Sequence, residues 1–175
     1  MTYGSVRVRP EALAMQFPHF SVRRFFLSHA NDEKNEREVT HLWFTAWPDS
    51  NIPQNSLFDF IRTYRGYREL LDTKCPILCH CSAGIGRTGC FIAIDLILDS
   101  ISSEVCGLEE NNHFPSIDIF RVVSKLRTYR MGMVQTLSQY LFIYHFLQSC
   151  IQQQLFGVVP GVSNIERASD LSNTS

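Results

Sequence analysis

The stretch "LCHCSAGIGRTGCF", residues 78–91, constrains the fold more than any other part of the chain. An apolar, strand-like run ends at a cysteine, and three glycines then fall within six residues, at Gly84, Gly86 and Gly89. A tight turn needs one glycine, or two, so a third implies backbone that lies close to something else. From Arg87 onward, Phe91, Ile92, Ile94, Asp95 and Leu96 follow the pattern of a helix buried on most sides. A glycine-rich turn between a strand end and a helix N-terminus predicts an anion site. Successive N–H groups from Ser82 to Arg87, through Ala83, Gly84, Ile85 and Gly86, can curl around a phosphate, and the helix dipole adds positive potential.

The same field acts on Cys81. At a helix N-terminus beside the guanidinium of Arg87, a thiol pKa is expected to fall from about 8.5 into the range of roughly 3.5 to 7.5, which makes a nucleophile at neutral pH. Arg87 itself can fork onto two phosphate oxygens. Two plainer readings stand beside this one: a buried cysteine is usually inert packing, and glycine-rich strand-to-helix turns also bind nucleotides without covalent chemistry. Neither accounts for a cysteine, an anion nest, an arginine and the Thr88 hydroxyl together, and the G-K-[ST] of ATP-binding loops is absent from the sequence.

Bulk properties exclude several classes. The 175 residues suit one domain, and 45% hydrophobic with 19% charged residues is ordinary for a globular protein. A formal net charge of -1 gives no general pull toward nucleic acid or a membrane surface. The N-terminus lacks a signal-peptide pattern, and "CFIAIDLIL" is too short and carries Asp95, so no membrane segment is expected. The six cysteines, Cys75, Cys79, Cys81, Cys90, Cys106 and Cys150, match no paired zinc spacing. They predict mostly buried free thiols in a reducing, cytoplasmic setting, with Cys81 as the exception.

Strand character runs over Ser5–Arg9, over Phe20–Ser28 and through "REVTHLWFTAW", residues 37–47. "WPDSNIPQNS" is a loop, because Pro48 and Pro53 interrupt regular structure. A helix capped by Asn55 or Ser56 follows, with Leu57, Phe60, Ile61, Tyr64, Tyr67, Leu70 and Leu71 at helical spacing, and "CPILCH" reads as a short strand. A helix begun by Ser116 or Asp118 buries Ile119, Phe120, Val122, Val123 and Leu126 and ends near Tyr129. A last helix from about Leu137 carries Tyr140, Ile143, Tyr144, Leu147 and Ile151 as its apolar stripe. Residues 156–175 lose all periodicity and are expected to form a flexible tail after a domain spanning residues 1–155.

His80, Cys81, Arg87 and Thr88 in "HCSAGIGRTG" resemble the signature of the protein tyrosine phosphatases, specifically the phosphotyrosine-specific branch. "FTAWPD" resembles that family's mobile acid loop, which makes Asp49 the matching general acid, and "LRTYRMGMVQTLSQY" its glutamine loop, with Gln135 and Gln139 matching. The resemblance implies an α/β (α+β) fold with a central mixed sheet, helices on both sides, and a catalytic domain represented here by its rear part, incomplete on the N-terminal side. It implies hydrolysis of phosphotyrosine in proteins through a phosphocysteine intermediate, with no cofactor and no metal. Cys81 would be the nucleophile, oriented by His80, with Arg87 and the 82–86 amides holding the phosphoryl oxygens. Asp49 would serve as acid and then base, Gln135 and Gln139 would place the water, and Thr88 would stabilise the leaving thiolate. Arg127 would support the phosphate loop, Gly132 would leave the pocket open on one side, and Trp47 would be a hinge of the acid loop.

The acid loop departs from the family's pattern, with Ser50 and Asn51 where His-Gly is usual. The segment carrying the asparagine-arginine-tyrosine substrate loop finds no match, and the faces of Val39, Leu42 and Phe44 are expected to lose cover. A second function class follows from that gap: a catalytically weak or inactive module that binds phosphoproteins or regulates a partner.

Overall fold

The computed structural model describes residues 1–11, 15–47, 53, 56–70, 76–106 and 116–152. The chain is an α/β protein that divides into two compact units, Met1–Arg65 and Gly66–Ser175. The first holds a five-stranded antiparallel sheet of β1 (Thr2–Tyr3), β2 (Val6–Pro10), β3 (Met15–Gln16), β4 (Phe20–His29) and β5 (Asp32–Phe44). Strand β4 is the spine: β2 and β3 pair with different parts of it, while β5 runs along it from Phe20↔Phe44 to His29↔Asp32. The β4–β5 hairpin turns through Ala30 and Asn31, and the Ala30 N–H is tied to the Ser5 carbonyl at 2.8 Å.

Burial in this unit concentrates at one end of β4, on Phe20, Ser21 and Val22. Phe17 stacks on Phe20 with ring centroids 4.3 Å apart, and Phe60 meets Phe20 edge-on at 5.5 Å and Phe44 at 5.0 Å. Phe60 lies in α1 (Ser56–Leu70), whose first helical residue is Ser56; Asn55, the other cap expected, lies outside the described residues. Trp47 packs edge-on against Phe44 at 6.3 Å, which anchors the chain just beyond β5 to the end of that strand. The faces expected to lose cover are half-buried at Val39, Leu42 and Phe44.

The second unit is helical. Helix α2 (Gly86–Cys106) packs against both α3 (Ile119–Tyr129) and α4 (Leu137–Gln152). Its Cys90, Ala93, Ile94, Ile97, Leu98 and Ile101 are buried, which matches a helix that is apolar on most sides. Asp95 is the polar exception: Arg68, in the last turn of α1, donates to it at 3.0 Å and also pairs with Asp99 one turn on. Of the two possible caps for α3, Asp118 is used, its carboxylate accepting from the Arg121 N–H at 2.8 Å. No helix of the described residues is long and apolar enough to cross a membrane.

Three expectations fail. Residues 76–80 form no strand and pair with none among the described residues, leaving Ile77 half exposed and Leu78 89% exposed. Strand propensity is fitness for a pleated neighbour, and without one an apolar run has nothing to hold it extended. Phe120 is 69% exposed rather than core, because α3 buries the face of Ile119, Val123 and Leu126. Helix α4 buries Phe142, Ile143, Phe146, Leu147 and Cys150, whereas Tyr144 and Ile151 are exposed. That helix is apolar on nearly every side, so periodicity alone cannot choose the face. Asp49 with its flanking Pro48, Ser50 and Asn51, Cys75, and residues 153–175 lie outside the described residues.

Candidate active site

The glycine-rich turn runs from Cys81 to Ile85 and becomes α2 at Gly86, so the N-terminus of a 21-residue helix points its free N–H groups back toward Cys81. The Gly84 N–H donates to Cys81 Sγ at 3.3 Å. Gly84 has φ +69°, a conformation that costs glycine nothing and an L side chain about 1 kcal/mol or more. Burial pushes the Cys81 thiol up, but the Thr88 hydroxyl and the N–H groups of Thr88, Gly84 and Ile85 pull it down harder, to about 7 from an ordinary 9.0. Burial dominates elsewhere and raises Cys79 to about 11 and Cys90 and Cys150 to about 12. Among the described thiols with a shifted pKa, Cys81 alone is lowered.

Thr88 lies in the first turn of α2, and its buried hydroxyl closes no hydrogen bond of ordinary length among the described residues. Its dipole nevertheless offsets part of what burial does to the thiols of both Cys81 and Cys79. Arg87, next to it, is half-buried. His80 engages only locally, with Nδ1 3.2 Å from the Cys81 carbonyl oxygen.

The turn between α3 and α4 is sewn to this loop. The Ile85 carbonyl accepts from Gly89 N–H at 3.1 Å and from Val134 N–H at 3.0 Å. Arg127 donates from Nε to the Met133 carbonyl and from Nη2 to the Val134 carbonyl, both at 2.9 Å. Val134 is fully buried at φ +58°, a strained conformation for a β-branched residue. Gln135 and Gln139 come up against Gly86: a Cβ built there would lie 2.9 Å from Gln139 Nε2 and 3.4 Å from Gln135 Oε1. Gln139 Oε1 accepts from the N–H groups of Gln135 and Thr136 at 2.9 and 3.3 Å, while the Thr136 hydroxyl accepts from the Gln139 N–H at 3.2 Å. This reciprocal cap starts α4 and places Gln135 just ahead of it.

Comparison with known sequences decides what this constellation belongs to: the model of the protein-tyrosine phosphatase domain matches residues 1–149. The chain belongs to the protein-tyrosine phosphatase family. It is 36% identical over 171 residues to tyrosine-protein phosphatase corkscrew of Drosophila virilis, a match covering 89% of this chain and 21% of that protein. It is also 32% identical over 183 residues to receptor-type tyrosine-protein phosphatase alpha of Mus musculus, covering 93% and 20% respectively. The human receptor-type alpha protein matches at 31% identity, with 93% of this chain and 21% of that protein covered. The chain thus spans about a fifth of the length of each of these relatives.

Within the family's signature, the structure brings together Cys81, Ser82 to Gly86, Arg87 and Thr88 in one turn, and sets Gln135 and Gln139 against Gly86. Arg127 reaches the loop indirectly, through the carbonyls beside Val134. Gly132 lies against Ile85, whose Cδ1 would be 3.5 Å from a Cβ built there. Sequence reasoning missed Arg130 and Val134, and it flagged Gly89 without naming its neighbour. Arg130, at the end of α3, donates to the Ala83 carbonyl at 3.0 Å. Gly89 is the third glycine because the Val134 backbone lies against it, and Val134 itself is strained. Only the surplus glycine left a signal in the sequence.

Proposed function

We propose that the chain hydrolyses phosphotyrosine in proteins through a phosphocysteine intermediate. The observation that carries this reading is geometric: Cys81 sits ahead of the N-terminus of α2 with the Gly84 N–H 3.3 Å from its sulfur, and Arg87 and Thr88 stand in the helix's first turn, an arrangement that holds the thiol low, at about 7. Cys81 Sγ attacks phosphorus, forming a P–S bond as the P–O bond to tyrosine breaks, and Asp49 gives its proton to the departing oxygen. Arg87 and the amides of Ser82, Ala83, Gly84, Ile85 and Gly86 hold the equatorial oxygens throughout. A water placed by Gln135 and Gln139 then attacks phosphorus, Asp49 takes its proton, and Cys81 leaves as a thiolate stabilised by Thr88, releasing inorganic phosphate. His80 fixes the backbone at Cys81. The setting is a reducing, cytoplasmic one that keeps Cys81 free.

The test is phosphate release from a phosphotyrosyl peptide by residues 1–175 beside Cys81→Ser. Release that disappears in the variant supports the assignment, and release that survives in Cys81→Ser refutes it. A second reading, a phosphoprotein-binding module without turnover, draws support from the unpaired residues 76–80 next to the loop. Peptide binding with no release in the unaltered chain would establish that reading instead.

A further inference from the structure

Helix α3 ends at Tyr129, and Arg130, its C-cap, turns into extended backbone with φ −146° and ψ 116°. That change of direction sends the Arg130 side chain to the phosphate loop, 47 residues earlier in the chain, where Nη2 donates to the Ala83 carbonyl at 3.0 Å. The guanidinium also lies on Gly84: a Cβ built there would be 3.4, 3.5 and 3.6 Å from Nη2, Cζ and Nη1. The nearly equal distances mean the planar group lies flat on the glycine, a packing that a side chain at position 84 would crowd.

The Ala83 carbonyl and the Gly84 N–H belong to one rigid peptide unit, and no described peptide bond is cis. In a trans peptide the carbonyl and the N–H point in opposite directions, so a clamp on the oxygen aims the hydrogen. The hydrogen is aimed at Cys81 Sγ, 3.3 Å from the Gly84 nitrogen. We propose that Arg130 is a positioning residue for Cys81, clamping and polarising the Ala83–Gly84 peptide so that its N–H is presented to the sulfur. A cationic donor on the carbonyl draws electron density toward oxygen and makes the opposite N–H a stronger donor, the cooperative effect of chained hydrogen bonds. Arg130 therefore acts on the thiolate through the peptide while touching neither substrate nor sulfur.

Other charged or titratable groups surround Cys81. His80 is adjacent, the Cys79 and Cys90 thiols interact with it electrostatically, and Arg87 projects from the first turn of α2. Arg127, from α3, is bonded to the carbonyls of Met133 and Val134, and α4 contributes only the uncharged Gln139.

The inference deepens the proposed role of Cys81 but is read out without turnover. The rate of iodoacetamide alkylation at Cys81, located by peptide mapping, is followed against pH for residues 1–175 and for Arg130→Met and Arg130→Lys. The wild-type midpoint is expected near 7. In Arg130→Met it should rise by about one pH unit, the scale of one weakened hydrogen bond to a charged group, slowing alkylation at pH 6 roughly tenfold. Arg130→Lys, which keeps a cationic donor, should recover part of that rise. An unchanged midpoint in a folded Arg130→Met overturns the proposal. Should that variant unfold, the unaltered chain decides: the Gly84 amide proton resonance must titrate with the Cys81 midpoint, and one that stays put overturns the proposal equally. A shifted midpoint without phosphatase activity would sink the proposed function and leave this inference standing.

Discussion

Gly89→Ala sets two physical effects of opposite sign against each other. Gly89 lies within α2, where alanine is favoured over glycine by about 1 kcal/mol on helix propensity alone. Against that, the new Cβ would sit 2.5 Å from the Val134 backbone nitrogen, 3.2 Å from the Met133 carbonyl carbon and 3.3 Å from Val134 Cγ2. Ordinary contact begins at 3.4 Å, so the Met133–Val134 backbone must retreat by 3.4 − 2.5 = 0.9 Å. The Val134 N–H bond to the Ile85 carbonyl, now 3.0 Å, cannot survive such a move, a loss of about 1 kcal/mol. Overpacking adds ~1–3 kcal/mol, and Arg127 holds the same backbone through two carbonyls, which limits how it can relax. The net expectation is destabilisation by about 1–3 kcal/mol. Gln135, next in the chain, would shift by nearly the same distance, and a displacement of ~1 Å in a catalytic group can slow turnover about 100-fold. Urea unfolding together with hydrolysis of a small aryl phosphate reads both effects. A Gly89→Ala protein more stable than wild type by ~1 kcal/mol, with turnover intact, would show that propensity governs this position and that the contact with Val134 is immaterial.

Chemical labelling near pH 7 should modify Cys81 while sparing Cys79, Cys90 and Cys150, because the first titrates near 7 and the others near 11, 12 and 12. Peptide mapping that finds Cys79 labelled as fast as Cys81 would contradict the picture of a loop that selects one sulfur. Hydrolysis should be bell-shaped in pH with its optimum on the acid side of neutrality: thiolate is gained as pH rises through about 7, while protonated Asp49 is lost. A rate that keeps climbing above neutral pH argues against that pairing. Asp49→Ala should slow turnover while phosphate or vanadate still binds the loop, and equal loss of both would exclude an acid role for Asp49. Arg68→Met should cost about 2 kcal/mol in urea unfolding, less than the ~3–5 kcal/mol of a fully buried pair because Arg68 keeps some contact with water. An unchanged unfolding midpoint would show that Asp95 does not depend on Arg68.

What could be read without coordinates is what the chain decides locally. The stretch from Cys81 to Thr88 is eight residues in which the thiol, the run of backbone N–H groups and the guanidinium are set by backbone turns and one helix start. The ends of α1 and α3 were legible for the same reason, since Ser56 and Asp118 stand at their starts. The long strands β4 and β5 showed themselves through alternation and β-branched or aromatic content. Only the tertiary structure decided the rest, because those features depend on which surfaces meet. Residues 76–80 have strand composition yet pair with no described strand, and a ladder cannot be made by one participant. The buried face of α4 is chosen by contact with α2, not by a sequence that is apolar all round. The approach of the Val134 backbone to Gly89 and the clamp of Arg130 on the Ala83 carbonyl each join segments more than 40 residues apart. The surplus glycine announces a close approach without saying to what, a valine and an arginine carry no mark of such contacts, and only folding brings their partners to them.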